Sequence, residues 1–231
     1  TTVFSHQGLT YGGIVLNEKT HPFEVDEIIQ SLSIYLKKNN ILNIVLKIIP
    51  NIYTKKSTDE LEITLLKFGG VLSQKDMLFV VDLREKWQLS KSKLKHFKKI
   101  SSLLEIREQN NFSEFWHQIL EPRLLEKYQS KPVHSLSEIQ FLKERFPENI
   151  VQLSAYYNDK IVAGITLFIF DKVVKSQYGA INSDGEKVRA LDYLFITLIQ
   201  KYIQDGKFGA ITAVDLVWNV NQPGRWRRPD L

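Results

Sequence analysis

The chain has 231 residues, 43% hydrophobic and 25% charged, which permits one large domain or two modest ones and excludes a disordered chain. It has no cysteine, so disulfides, thiolate nucleophiles and cysteine-based zinc sites are excluded together, and the composition is compatible with a reducing cytoplasm. The net charge of +5 suits an anionic ligand such as coenzyme A, a nucleotide-linked precursor or tRNA, and the longest apolar run, Ile161 to Phe170, is too short for a membrane span of ~20 residues.

Residue 1 is Thr, so the natural start is expected upstream. Val3 to Leu16 reads as extended and is broken by Gly8 and Gly12-Gly13. His21-Pro22 opens a helix with Val25, Ile28, Ile29, Leu32 and Leu36 at helical spacing, and Asn39-Asn40 stops it. Ile44 to Ile49 is expected as a strand ended by Pro50. Ser57 and Glu60 form a capping box for a helix through Phe68, closed by Gly69-Gly70. Val71 to Leu83 is strand-like with a polar interruption at Gln74 to Asp76.

Lys91 to Lys99 predicts a basic helix with five lysines and no acid. Leu104 to Arg107 is a short strand, and Phe112 to Tyr128 is helical, with Pro122 as a kink or a restart. Ser135 and Glu138 cap a helix that ends near Phe146-Pro147. Three strands follow at Val151 to Tyr157, Ile161 to Phe170 and Val173 to Ala180, and their two-residue turns predict an antiparallel meander. A loop from Ile181 to Lys187 leads to a helix with Leu191, Leu194, Phe195, Leu198, Ile199 and Tyr202 on one face, ended by Asp205-Gly206. A strand is expected near Phe208.

The two ends of the chain resemble each other. Tyr11-Gly12-Gly13 precedes a loop, an amphipathic helix and a strand at Ile44, and Tyr178-Gly179-Ala180 precedes the same series up to Phe208. Either two common strand–helix–strand units coincide, or the chain begins inside one unit and continues into a second. The latter reading divides it into 1–90, the later part of a first unit, 91–209, a second unit, and 210–231, an atypical tail. Trp218 to Leu231 lacks strand periodicity, which suggests a truncated or frame-altered end, or an appended tail.

Ser5-His6-Gln7-Gly8-Leu9-Thr10-Tyr11-Gly12-Gly13 resembles a segment of the FemAB-like acyltransferases of the GNAT superfamily. Lys131-Pro132-Val133-His134-Ser135-Leu136, Ile161-Val162-Ala163-Gly164 and Ala190-Leu191-Asp192-Tyr193-Leu194-Phe195 resemble others, in the same order. The likeness runs from about Ser5 to Gly209. It implies an α/β (α+β) fold with a GNAT-like, mixed and largely antiparallel sheet flanked by helices, one unit partial and one nearly complete. The loop Asn182-Ser183-Asp184-Gly185-Glu186-Lys187 departs from the usual pyrophosphate motif, Gln/Arg-x-x-Gly-x-Gly/Ala.

The resemblance implies a bacterial, cytoplasmic N-acyltransferase using acetyl-CoA or another acyl-CoA as co-substrate. Its acceptor is a small-molecule or cell-envelope precursor amine. Ser183, Gly185, Lys187, Arg189 and Ala190 form the candidate phosphate cradle, or else an ordinary polar loop. Tyr178 either donates a proton to the leaving thiolate or is a half-buried strand tyrosine. His134 either accepts the amine proton or orders the turn before its helix. Arg123 and Tyr128 are the candidate acceptor-binding residues.

The runner-up is a peptidoglycan-type aminoacyltransferase using aminoacyl-tRNA, and a third reading is a non-catalytic binding module that keeps the fold. The scattered histidines and the absence of HExxH point away from a catalytic metal. The absence of GxSxG, Walker A and GxGxxG points away from hydrolase, P-loop and Rossmann chemistry.

Overall fold

The structure, a computed structural model, describes residues 1–5, 12–55, 57, 59–74, 78–206 and 208–213. Most of the Ser5 to Gly13 segment and all of the Trp218 to Leu231 segment therefore lie outside the described residues, as do residues 75 and 76 of the polar interruption. The chain divides into two compact units, one of Thr1–Ser73 with Leu124–Ile139, the other of Gln74–Arg123 with the chain from Gln140 onward.

In the first unit, β1 (Thr2–Phe4) pairs in parallel with β2 (Asn43–Val45), and α1 (Pro22–Lys38) connects them. Pro22 occupies the first turn of α1, where its missing N–H costs nothing, and the Glu24 carboxylate accepts the His21 amide at 2.6 Å. The β2 strand is shorter than Ile44 to Ile49 predicts, because its described partner β1 has only three residues. A 3₁₀ turn at Asn51–Tyr53 precedes α2 (Asp59–Lys67). Val25, Ile29 and Leu61 form the small core. Asp26 of α1 ties the helices together, accepting from Thr64 at 3.0 Å and pairing with Lys67.

The second unit is built on a six-stranded sheet. In chain order its elements begin with β3 (Phe79–Asp82), the basic helix α3 (Lys91–Ile100) and β4 (Leu104–Gln109). A continuous helical stretch follows, made of α4 (Ser113–Phe115), a π-turn at Trp116–Leu120 and α5 (Glu121–Tyr128). Then come α6 (Leu136–Arg145), β5 (Ile150–Tyr157), β6 (Lys160–Ile169) and β7 (Val173–Ile181); most of α5 and the first turn of α6, within Leu124–Ile139, are grouped with the first unit. The described chain ends with α7 (Ser183–Val188), α8 (Ala190–Asp205) and β8 (Ala210–Ala213).

The strand order is β3-β8-β7-β6-β5-β4, antiparallel throughout except for the parallel pair β7–β8. The predicted meander is therefore present, with β5, β6 and β7 as direct neighbours. Its first turn follows from Asn158 and Asp159, both at positive φ (50° and 58°), as a two-residue type I′ hairpin requires. β3 lies upstream of residue 91 in the chain but belongs to this sheet.

Pro122 is the second residue of α5, where the α-helix resumes after the π-turn, so the expected restart is present. The Glu121 N–H bonds back to the Trp116 carbonyl, five residues away, and the widened turn takes up the proline ring that would strike the carbonyl of residue 118 in a regular α-helix. One expectation changes. The segment predicted as a loop up to Lys187 is the short helix α7. Asn182 caps it, its side-chain oxygen accepting the Gly185 amide at 2.9 Å, and Arg189 in the left-handed conformation (φ 51°, ψ 45°) separates it from α8. A loop reading misses the helix because Gly185 reads as a breaker until its close packing on Val162 is known.

One face of the sheet carries the main core. Leu153, Ala155, Ile165, Leu167 and Val174 meet Leu194, Leu198 and Tyr202 of α8, and each buried leucine contributes about 2 kcal/mol. The opposite face carries the candidate site.

Candidate functional site

The site begins with an irregularity in β7. Thr166 pairs with Tyr178 and Leu167 with Ser176, so Gln177 is one residue extra. Such a bulge re-aims the side chains beside it. Tyr178, 7% exposed, meets the Trp116 ring edge-to-face at 5.1 Å, and the Trp116 Nε1 donor is buried with no hydrogen-bond partner among the described residues. The helical stretch comes this close because Gly164 has no side chain, and a Cβ there would lie 2.3 Å from the Phe115 ring.

Tyr178 ends a row of polar side chains that crosses four strands. Gln109 of β4 stands opposite Gln152 of β5, Gln152 opposite Thr166 of β6, and Thr166 opposite Tyr178. Residues directly opposite share a face, so all four point away from the α8 core. Thr166 Oγ1 donates to Gln152 Oε1 at 2.7 Å, and Gln152 Nε2 donates to Ser154 Oγ at 3.2 Å. Lys175, also in β7, is 1% exposed and donates to Gln177 Oε1, with the buried Thr212 opposite it. Each of these buried polar groups must recover its lost hydration, and the bonds among Thr166, Gln152 and Ser154 supply it.

At its outer end the row meets Glu114 and Tyr156. The Tyr156 hydroxyl donates to Glu114 Oε2 at 2.5 Å, and Gln109 Nε2 lies 2.8 Å from the same hydroxyl and 3.4 Å from the carboxylate. Burial, then the bond to Glu114, pushes the Tyr156 phenol up to about 12.

The residues of the predicted cradle are consecutive and fall on α7 and the start of α8. Ser183 is exposed in the first turn of α7. Gly185 is buried, and a Cβ there would lie 2.4 Å from the Val162 carbonyl oxygen, so this glycine serves close packing on β6. Lys187 pairs with Asp184 at 2.7 Å, which raises the lysine and lowers the carboxyl from their ordinary values. Arg189 pairs with Asp192 at 2.6 Å, and Ala190 is fully buried. Arg123 forms an ion pair with Glu186 of α7, so the structure joins one predicted acceptor residue to the cradle helix. Tyr128, exposed, and His134, 8% exposed, both fall among the residues grouped with the first unit.

Sequence reasoning missed Gln109, Gln152, Thr166, Lys175 and Gln177. The available signal was Gln152 and Ser154 at alternate positions of apolar β5, Thr166 alone within the apolar run of β6, and the run Lys175 to Gln177 in β7, which read as a site only once both faces are known to be covered. It also missed a depression that α3 and α8 share, where Lys93 and His96 join Arg189 and Asp192, and where His96 Nε2 is buried without a partner among the described residues. No group of three acidic or histidine side chains among the described residues is placed to hold a metal, and no described helix is long and apolar enough to cross a membrane.

Solved structures share this fold. The C-terminal domain of a protein assigned as a lysylphosphatidylglycerol synthetase from Agrobacterium fabrum matches over 91% of this chain and 63% of its own, with a TM-score of 0.59 and 14% identity. L-PGS from Bacillus licheniformis matches over 87% and 61%, with a TM-score of 0.58 and 13% identity. FemX matches over 88% and 71%, with a TM-score of 0.62 and 8% identity. The fold is the FemAB-like GNAT type. The chain spans about three fifths of the first two of these structures. No protein-family model matches the sequence, and no curated protein matches it.

The fold expected from the sequence is the one present, with the meander β5–β7 as neighbours in one sheet and β8 parallel to β7.

Proposed function

We propose that the chain is an N-acyltransferase that moves an acyl group, most simply acetyl, from acyl-CoA to an amino group by direct transfer in a ternary complex. The observation that carries this reading is the buried polar row that ends on Tyr178, beside the bulge at Gln177, on the strand that leads into α7 and the first turn of α8. Such a row, fully buried at Gln152 and Thr166, fixes the strand that carries Tyr178, and a reacting group held in one orientation lowers the barrier most.

The attacking nitrogen forms a C–N bond at the thioester carbonyl, the C–S bond breaks, the nitrogen releases a proton and the thiolate gains one. Tyr178 is proposed as the donor to the thiolate and His134 as the acceptor of the amine proton. Ser183, Gly185, Lys187, Arg189 and Ala190 are proposed to face the donor's phosphates, with the lysine and arginine exchanging their carboxylate partners for phosphate oxygens. Arg123 and Tyr128 are proposed to contact the acceptor. The acceptor is a small-molecule or cell-envelope precursor amine, and the setting is the cytoplasm.

The organisation that goes with this reading is tandem, with 1–90 the later part of a first GNAT-like unit and 91–209 the second. Two parallel strand–helix–strand arrangements, β1–α1–β2 and β7–α8–β8, support it, with β3 lent to the second sheet.

A second reading has its own observation. The lysines of α3 have no acidic neighbour on their helix, and Lys93 and His96 line the depression that reaches Arg189. This favours an aminoacyl-tRNA donor.

One experiment separates the readings. Thermal shifts are measured with acetyl-CoA, longer acyl-CoAs, free CoA and tRNA, the last at two salt concentrations. Stabilisation by acyl-CoA is expected, and each hundredfold excess over Kd adds about 2.7 kcal/mol. A salt-dependent tRNA shift that vanishes on charge reversal of the α3 lysines would select the second donor. No response to any of them would leave a non-catalytic binding module.

A further inference from the structure

Glu114 is a half-buried carboxylate whose hydrogen-bond donors, the Tyr156 hydroxyl and the Gln109 amide, are both neutral. A carboxylate withdrawn from water is ordinarily matched by a cation. The nearby cation is Arg107, which lies over the Tyr156 ring at 4.1 Å but is committed elsewhere. Its guanidinium donates to Glu105 at 2.7 and 2.6 Å and reaches Asp159 at 3.4 Å. Beside Glu114, Gln109 Oε1 is a buried acceptor with no donor among the described residues. Exchanging the amide oxygen and nitrogen of Gln109 would set its oxygen against the Glu114 carboxylate oxygen, so the contacts favour the orientation that leaves Oε1 as the unpartnered acceptor. Two acceptors thus stand together with no positive charge assigned to them, at the end of the polar row opposite Tyr178.

We propose that Glu114, with Gln109, holds an ammonium group of the substrate, and that this group is a second amine of the acceptor rather than the one that reacts. The proposal rests on the acyltransferase reading for the word acceptor, but the cation site stands on its own geometry. Gln109 and Tyr178 are three strands apart, about 14 Å at ordinary sheet spacing. An amine held at Glu114 is therefore remote from the proposed chemistry at Tyr178. The cradle on α7 and α8 follows directly from the Tyr178 strand, whereas the row leads away from it across the sheet to β4. The substrate class this selects is a molecule with two or more primary amines, one clamped and one reacting. A carboxylate hydrogen-bonded only by neutral groups is well suited to the clamp, because a charge-assisted bond from the ligand's ammonium is stronger than either of them.

The test uses the whole chain and three probes, 1-pentylamine hydrochloride, 1,5-diaminopentane dihydrochloride and uncharged 1-pentanol, in a calorimetric or NMR titration. Both ammonium probes are expected to bind saturably at millimolar concentration while pentanol does not. Glu114→Gln keeps an oxygen for the Tyr156 hydroxyl and should fold normally, yet weaken ammonium binding about tenfold. Glu108→Gln removes the same unit of charge from β4 at a mostly exposed position paired with Lys201, and should leave binding unchanged. In acyl transfer, Glu114→Gln should raise KM for a diamine about tenfold while leaving KM for a monoamine and for the acyl donor unaltered. Equal ammonium binding by wild type and Glu114→Gln, or none by either, overturns the proposal. Ammonium binding through Glu114 without any acyl-donor binding upholds the site and removes the acyltransferase reading. Donor binding without ammonium binding does the reverse.

Discussion

At the scale of single residues, Tyr178 was visible in the sequence and its surroundings were not. A tyrosine near the end of the third strand of a meander can be picked out from its position alone. That Trp116 stands edge-on to it, and that Thr166, Gln152 and Gln109 follow in register, depends on which strands are neighbours. Tyr178→Phe keeps the ring against Trp116 and removes only the hydroxyl. Acyl transfer is expected to fall about a hundredfold, as for loss of a general acid, with the unfolding midpoint changed little. Steady-state rates and denaturant titration of the same variant check this, and an unchanged rate would return Tyr178 to a packing role. Lys175 illustrates the limit of sequence reading. A lysine in a strand ordinarily reads as a solvent-facing position, whereas here β8 and the helical stretch cover it.

At the scale of elements, the features that were legible are those fixed by neighbours in sequence. The capping box of α6 is present, with the Ser135 amide donating to Glu138 Oε2 at 2.7 Å and the Glu138 amide donating to Ser135 Oγ at 3.3 Å. The Asn158-Asp159 hairpin turn is present for the same reason. The π-turn at Trp116–Leu120 was not legible, because it settles Pro122 against a helix that packs on β6 and β7. The helix α7 was not legible either, because Gly185 reads as a breaker until its contact with Val162 is known. Asn182→Ala tests that account. Loss of the cap is expected to lower stability by about 1 kcal/mol in denaturant unfolding. By loosening the turn that presents Lys187 and Arg189, it should also weaken acyl-CoA binding more than amine binding. A change in neither would mean that tertiary packing alone holds α7.

At the scale of the whole molecule, the charges and burial give the chain a pH dependence at its alkaline end. Tyr156 and Tyr202 are both pushed up to about 12, in each case first by burial, so the folded second unit favours the protonated phenols. Their ordinary value is about 10, so the stability they lend is complete below about pH 10 and is lost as pH rises through about 12. Denaturant unfolding followed from pH 9 to 12 should show this decline, and the double variant Tyr156→Phe with Tyr202→Phe should flatten it. A decline of the same slope in the variant would place the cause elsewhere. The same scale separates what was readable in advance from what was not. Composition, apolar periodicity and turn chemistry are local, and by themselves they determined the strand–helix order, the antiparallel meander and the resemblance to FemAB-like proteins. The tertiary structure alone decided that β3 joins β8 at the far edge of the sheet, that Gln177 bulges, and that three polar side chains align beside Tyr178 and end at Glu114. Pairing across more than a hundred residues is set by which faces can be buried together, and that is a property of the assembled sheet rather than of any segment within it.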